Sequence, residues 1–156
     1  MVLVALQSVK SPSSYVRLDG NGVTVPTNGG GGAVNVGTFV GTFETFTLVN
    51  NDDGTVSFKS VVFIDVFLRL DGAKVSQGQN LASGGGVVNA QSGAGPYEKF
   101  KINQKANDPG TYQGIVGIES FGFPGRFLRL DAAAGVVNVQ GVFETLEEFK
   151  ILVVGQ

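Results

Sequence analysis

Apolar and polar residues alternate over short stretches of this chain, and the stretches return in the same order three times. Val56-Ser-Phe58-Lys reads inward, outward, inward, outward, and Phe100-Lys-Ile102 and Phe149-Lys-Ile151 repeat the pattern. A period of two marks a strand with one buried face. No window of about 11 residues sustains a helical period with a cap and a stop.

Four anchored sets make up each copy. Val4-x-Leu6-x-Ser8 returns as Val56-x-Phe58-x-Ser60 and Val116-x-Ile118-x-Ser120. Tyr15-Val-Arg-Leu-Asp19 returns as Phe67-Leu-Arg-Leu-Asp71 and Phe127-Leu-Arg-Leu-Asp131. Ala33-Val-Asn35-Val matches Val87-Val-Asn89-Ala and Val136-Val-Asn138-Val. Glu44-Thr-Phe46-Thr-Leu48 matches Glu98-Lys-Phe100-Lys-Ile102 and Glu147-Glu-Phe149-Lys-Ile151.

The spacing excludes chance. The first anchor precedes the Asp by 15 residues in every copy, and the Asn precedes the last Phe by 11. Only the Asp-to-Asn separation (16, 18 and 7 residues) and the links between copies vary. Length variation in Gly-rich stretches such as Asn28 to Gly32 and Ser83 to Gly86 belongs to loops, not to packed strands. Turn formers separate the sets, among them Asp19-Gly-Asn-Gly22, Asp53-Gly54, Asp71-Gly72, Asp108-Pro-Gly110 and Phe123-Pro-Gly125.

Twelve short strands in three like copies cannot bury three separate faces, so the copies must share a core. Three blades fall below the range of propellers, whereas closing the copies about one axis leaves few open edges. The expected fold is therefore all-β, a β-trefoil: a single domain over residues 1–156 with lobes at about 1–52, 53–112 and 113–156.

Composition narrows the function. With 11 basic and 13 acidic residues the net charge is −2, too weak a field to draw the chain to nucleic acid or anionic lipid. Neither Cys nor His is present, which removes disulfides, thiolate and imidazole metal ligands, and every Ser/His or Cys/His dyad. The reading calls for no metal and no cofactor, and for binding without catalysis. The opening apolar run stops at Gln7 without a basic n-region, so the expectation is a cytoplasmic protein, or one exported without a classical signal peptide, that does not insert in a membrane.

The repeated polar residues are the candidate ligand-binding set. Arg17, Arg69 and Arg129 stand two residues before Asp19, Asp71 and Asp131, on the same strand face. A guanidinium beside a carboxylate can hold a polyol through paired hydrogen bonds. The competing reading gives the Asp to its turn, accepting backbone N–H groups, with Arg laid across the next strand. Asn35, Asn89 and Asn138 sit in apolar strands where Asn is unfavourable, so each amide either satisfies a backbone group or faces a ligand. Glu44, Glu98 and Glu147 either close a pocket with the Asp of their lobe or face solvent. Tyr15, Tyr97 and Tyr112 are the only tyrosines; Tyr15 aligns with Phe67 and Phe127, while Tyr97 and Tyr112 are freer to stack on a sugar ring. Lys99, Lys101 and Lys105 form the one basic cluster. Asn50 to Gly54 lacks the spacing and closing Glu of a calcium loop and reads as a hairpin turn.

The Phe-Leu-Arg-Leu-Asp, Val-Val-Asn and Glu-x-Phe-x-Ile sets resemble the β-trefoil domains of the fascin and hisactophilin type across essentially the whole chain. Val116 to Arg129 is also similar to the arabinose-binding trefoil modules of arabinofuranosidases, but this chain has Leu130 where those modules carry His. Together with the repeated polar set, these resemblances imply a lectin-like carbohydrate binder with up to three related sites. Cytoskeletal relatives imply a second partner, actin, reached through a surface patch. A third reading is a trefoil that recognises a protein, as inhibitors do, through the loop at Asn28 to Gly32. pH sensing of the hisactophilin kind would need His and is excluded here.

Overall fold

The computed structural model describes residues 1–105 and 114–156. Its strands are β1 (Val2–Ser8), β2 (Tyr15–Asp19), β3 (Ala33–Gly37), β4 (Phe46–Asn50), β5 (Val56–Ser60), β6 (Val66–Asp71), β7 (Val87–Ser92), β8 (Phe100–Gln104), β9 (Ile115–Ser120), β10 (Phe127–Asp131), β11 (Val136–Gln140) and β12 (Phe149–Gly155). The four repeated sets of each copy are these strands. The turn at Asp108 to Gly110 and Tyr112 lie outside the described residues.

Six strands close a ring of antiparallel pairs: β1 with β4, β4 with β5, β5 with β8, β8 with β9, β9 with β12, and β12 with β1. The other strands form the hairpins β2–β3, β6–β7 and β10–β11, which also meet one another. The lobes repeat in register as well as in sequence. Gln7 faces Tyr15 in the first, Lys59 faces Phe67 in the second, and Glu119 faces Phe127 in the third. This is the β-trefoil arrangement.

The core is built from the inward positions of the repeat. Phe46, Phe58, Phe100 and Phe149 are fully buried, with Leu6, Ile118, Leu18, Leu70 and Leu130. The Phe46 and Phe58 rings meet edge to face at 6.2 Å, and Phe58 meets Phe100 at 5.7 Å. Each such side chain contributes about 1.5–3 kcal/mol by leaving water. Leu48, Ile102 and Ile151 are half-buried and pack against the same cluster. The Ser that ends the first set in each lobe fixes the following turn. Ser8 Oγ accepts the Ser11 N–H, Ser60 Oγ those of Val62 and Phe63, and Ser120 Oγ that of Phe123.

One element type had no sequence signal. A 3-10 turn precedes the last strand of every lobe, at Thr42–Glu44, Pro96–Glu98 and Thr145–Glu147. Three residues are too few to show a period.

Candidate functional site

Within each hairpin the Arg of the first strand lies opposite the Asn of the second: Arg17 with Asn35, Arg69 with Asn89, Arg129 with Asn138. Arg Nη1 donates to Asn Oδ1 in all three, at 3.3, 3.2 and 3.2 Å. The 3-10 turn brings a Glu to the same guanidinium, with Nε to carboxylate distances of 3.7 Å for Arg17–Glu44, 3.8 Å for Arg69–Glu98 and 4.0 Å for Arg129–Glu147. Each Glu also accepts a backbone N–H at the start of its turn, from Gly41, Gly95 and Glu144. These glutamates are buried, so they neither face solvent nor close a pocket with the Asp. They are the counter-ions of the repeated arginines.

Each Asp does begin its turn. Asp19, Asp71 and Asp131 accept the backbone N–H of Asn21, Ala73 and Ala134 through Oδ1. In the second and third lobes the other oxygen also faces Arg Nη2, at 3.5 Å for Arg69–Asp71 and 3.4 Å for Arg129–Asp131. Among the described residues no such pair joins Arg17 to Asp19.

The lobes differ most in what lies on top of them. The long loop of the first lobe crosses the second: Gly31 exchanges both backbone hydrogen bonds with Ala90, Asn89 Nδ2 donates to the Gly29 carbonyl, and Gln91 grips the backbone of Thr27 from both sides. The loop of the second lobe crosses the third in the same way. Gly85 pairs with Val139, Asn138 Nδ2 and Arg129 Nη1 donate to the Ser83 carbonyl, and Gln140 grips Leu81. The third lobe has only the short turn between Asp131 and Val136 to offer the first, and Gly37 stands where the others carry Gln91 and Gln140.

The first lobe is consequently open. A cleft of about 420 Å³ is lined by Arg17, Gly37, Phe39, Thr42, Phe43 and Glu44 among others. The matching hollow of the third lobe measures about 180 Å³, and Asn80, Leu81 and Ala82 of the covering loop line it together with Arg129 and Glu147. Side-chain exposure follows the covering: 32% for Arg17, against 3% for Arg69 and 4% for Arg129. Beneath Arg17 the Phe43 ring lies 4.7 Å from the guanidinium carbon, and beside it Phe39 is 69% exposed. Tyr97, expected to be free, is the second-lobe counterpart of Phe43. It lies 5.1 Å under Arg69 and packs on Phe123 at 4.8 Å.

Burial has an electrostatic consequence. Desolvation pushes the carboxyls of Glu98 and Glu147 above their ordinary range, against the opposing pull of their backbone hydrogen bonds and of Arg69 and Arg129. An acid whose folded pKa is raised adds stability below its unfolded value near 4.5, and that contribution fades as pH climbs through the folded value. Asp53 behaves oppositely. Hydrogen bonds from Thr55 and Lys99 hold it at about 2, so its contribution is present above 3.8 and is lost on acidification through 2. Urea midpoints across this range should therefore fall above pH 4.5, with the decline flattened in Glu98→Gln, and fall again below 3.8, with that loss flattened in Asp53→Asn. A Glu98→Gln profile parallel to the parent's would remove the first assignment.

The chain is a β-trefoil protein. No family model and no curated protein matches its sequence. Its likeness is to solved structures, and at these identities that likeness concerns the fold. The lectin SeviL, solved bound to an asialo-GM1 saccharide, superposes with a TM-score of 0.70 at 9% identity over 99% of each chain. ThreeFoil, a designed threefold-symmetric protein, gives 0.71 at 12% identity over 97% of this chain and 99% of its own. Hisactophilin gives 0.62 at 14% identity over 99% and 100%.

Proposed function

We propose that this protein is a non-catalytic carbohydrate binder and that the open cleft of the first lobe is its site. One observation carries the reading: the guanidinium that is roofed by chain in the second and third lobes lines an accessible hollow in the first, with its Asn35 partner next to it and an exposed aromatic ring on the wall. Sugar sites combine a few fixed polar groups with an apolar wall. Arg17 and Asn35 supply the first, Phe39 the second. Asn35 Nδ2, whose counterparts donate to the Gly29 and Ser83 carbonyls, has no protein acceptor among the described residues and is left for a ring hydroxyl. Arg69, Asp71, Asn89, Arg129, Asp131 and Asn138 serve in this reading as internal structure, so one site rather than three is the expected valency. Asp19 belongs in this reading to its turn, outside the lining of the cleft.

Glu44 is the single acid lining the hollow, which leaves a two-carboxylate hydrolysis without its second group. The actin reading has less behind it, because Lys99 and Lys105 of the basic cluster are engaged by Asp53 and Glu148. Protein recognition has one observation in its favour, since the equivalent clefts hold peptide. A glycan array followed by calorimetric titration tests the proposal. Binding with one site per chain, weakened at least tenfold by Arg17→Met and unchanged by Lys101→Ala, is the expected result. Silence toward every saccharide at millimolar concentration would overturn it.

A further inference from the structure

Arg17 is one partner short. In the second and third lobes each guanidinium serves two carboxylates and an amide together: Glu on Nε, Asp on Nη2, Asn Oδ1 on Nη1. In the first lobe the Glu44 and Asn35 contacts are kept, at 3.7 and 3.3 Å, but among the described residues no carboxylate lies within 4.0 Å of Nη2. That lobe is also the one whose Arg is accessible, on the wall of the 420 Å³ cleft. Asp19, the counterpart of Asp71 and Asp131, is present in the first lobe but serves only its turn, accepting the Asn21 N–H, so the difference lies in pairing and not in the number of acids.

We infer that the cleft selects saccharides bearing a carboxylate, a uronic or sialic acid unit, whose carboxylate takes on Arg17 the place that Asp71 and Asp131 take on Arg69 and Arg129. This rests on the carbohydrate reading above and names its ligand class. The molecule itself shows that a guanidinium already facing a buried Glu accepts a second carboxylate at about 3.5 Å. Arg17 is held ready by the Glu44 contact, by Asn35 and by the Phe43 ring beneath it, so little side-chain freedom is lost on binding. Phe39 offers an apolar face to the sugar ring, and Asn35 Nδ2 a donor to its hydroxyls. Both the ring contact and the added donor favour an acidic sugar over a bare carboxylate.

The test pairs each acidic probe with its neutral counterpart: trigalacturonate with its methyl ester, sialyllactose with lactose, each titrated calorimetrically into the intact protein at 50 and 300 mM NaCl. The acidic member of at least one pair should bind tenfold or more tightly at low salt, with the preference shrinking at high salt as screening requires. Arg17→Met should abolish the preference, and Arg17→Lys, which keeps the charge without the planar fork, should restore part of it. Thermal unfolding of both variants checks that the fold is intact. Equal binding of acidic and neutral members would overturn the inference and leave the carbohydrate reading standing. Failure of every saccharide, acidic or neutral, would remove both. Arg17-dependent binding of acetyl-Gly-Gly-Leu with no saccharide bound would assign the carboxylate to a peptide terminus instead.

Discussion

Replacing Arg69 with methionine should cost about 3–5 kcal/mol in urea unfolding at pH 7, the range seen when one partner of a buried ion pair is removed. Arg69 and Glu98 are both sealed from water, and Asn89 loses its donor in the same step. Glu98, already pushed up by burial, would then take a proton more readily, so the variant should recover stability on acidification toward pH 5. The double variant R69M/E98Q should regain more than half of the loss, because the stranded charge is gone while the amide oxygen still accepts the Gly95 N–H. Arg17→Met should cost roughly half as much or less, since Arg17 is itself 32% exposed on an open cleft. Equal losses at positions 17 and 69 would show that the covering loop does not seal the second lobe.

The second large effect belongs to the covering loops. Gly84 has a φ of +64°, and a Cβ there would lie 2.5 Å from Asn138 Oδ1 and 2.8 Å from Arg129 Cδ. Alanine must therefore adopt a left-handed backbone and push into the guanidinium–amide pair, for a cost of about 2–4 kcal/mol. Gly135 has a similar φ of +69° with open space around it. Gly135→Ala should cost only about 1–2 kcal/mol, the backbone share alone. Thermal unfolding of the two variants separates conformation from contact. If they are equally destabilised, the loop of the second lobe is not pressed against Arg129.

Most of the scaffold was legible in the sequence because strands announce themselves. Constant spacings of 15 and 11 residues bracket each strand group, and alternation identifies the inward positions, so the repeat alone points Phe46, Phe58, Phe100 and Phe149 into the core, where they lie. Of the candidate site, Arg17, Asn35 and Glu44 stood out in the sequence as repeated polar residues, whereas Phe39 and Phe43 did not, because neither belongs to an anchored polar set. Arg, Asp and Asn repeat in every lobe, and nothing in a repeat says which copy is covered. The signal was nonetheless in the chain: the Asp-to-Asn separation drops to 7 in the last lobe, and Gly37 replaces the Gln at positions 91 and 140. Reading it required knowing that each loop lies on the next lobe rather than on its own, and neighbour relations across a pseudo-threefold axis are not encoded in local periodicity. Glu44, Glu98 and Glu147 were misplaced for a related reason. Their burial depends on 3-10 turns too short to leave a pattern.

The ring has a bearing on how the chain reaches its native state. Its closing seam joins Leu3 through Ser8 to residues 149–155, partners at opposite extremes of the described sequence. Until that last strand is available, β1 lacks one of its neighbours and cannot complete the barrel. The entropy of drawing such distant segments together must be spent before the pairing repays it, so assembly belongs in the millisecond-to-second regime of non-local β topologies. A ribosome that pauses before Phe149 is added would thus hold an unfinished barrel with a bare edge.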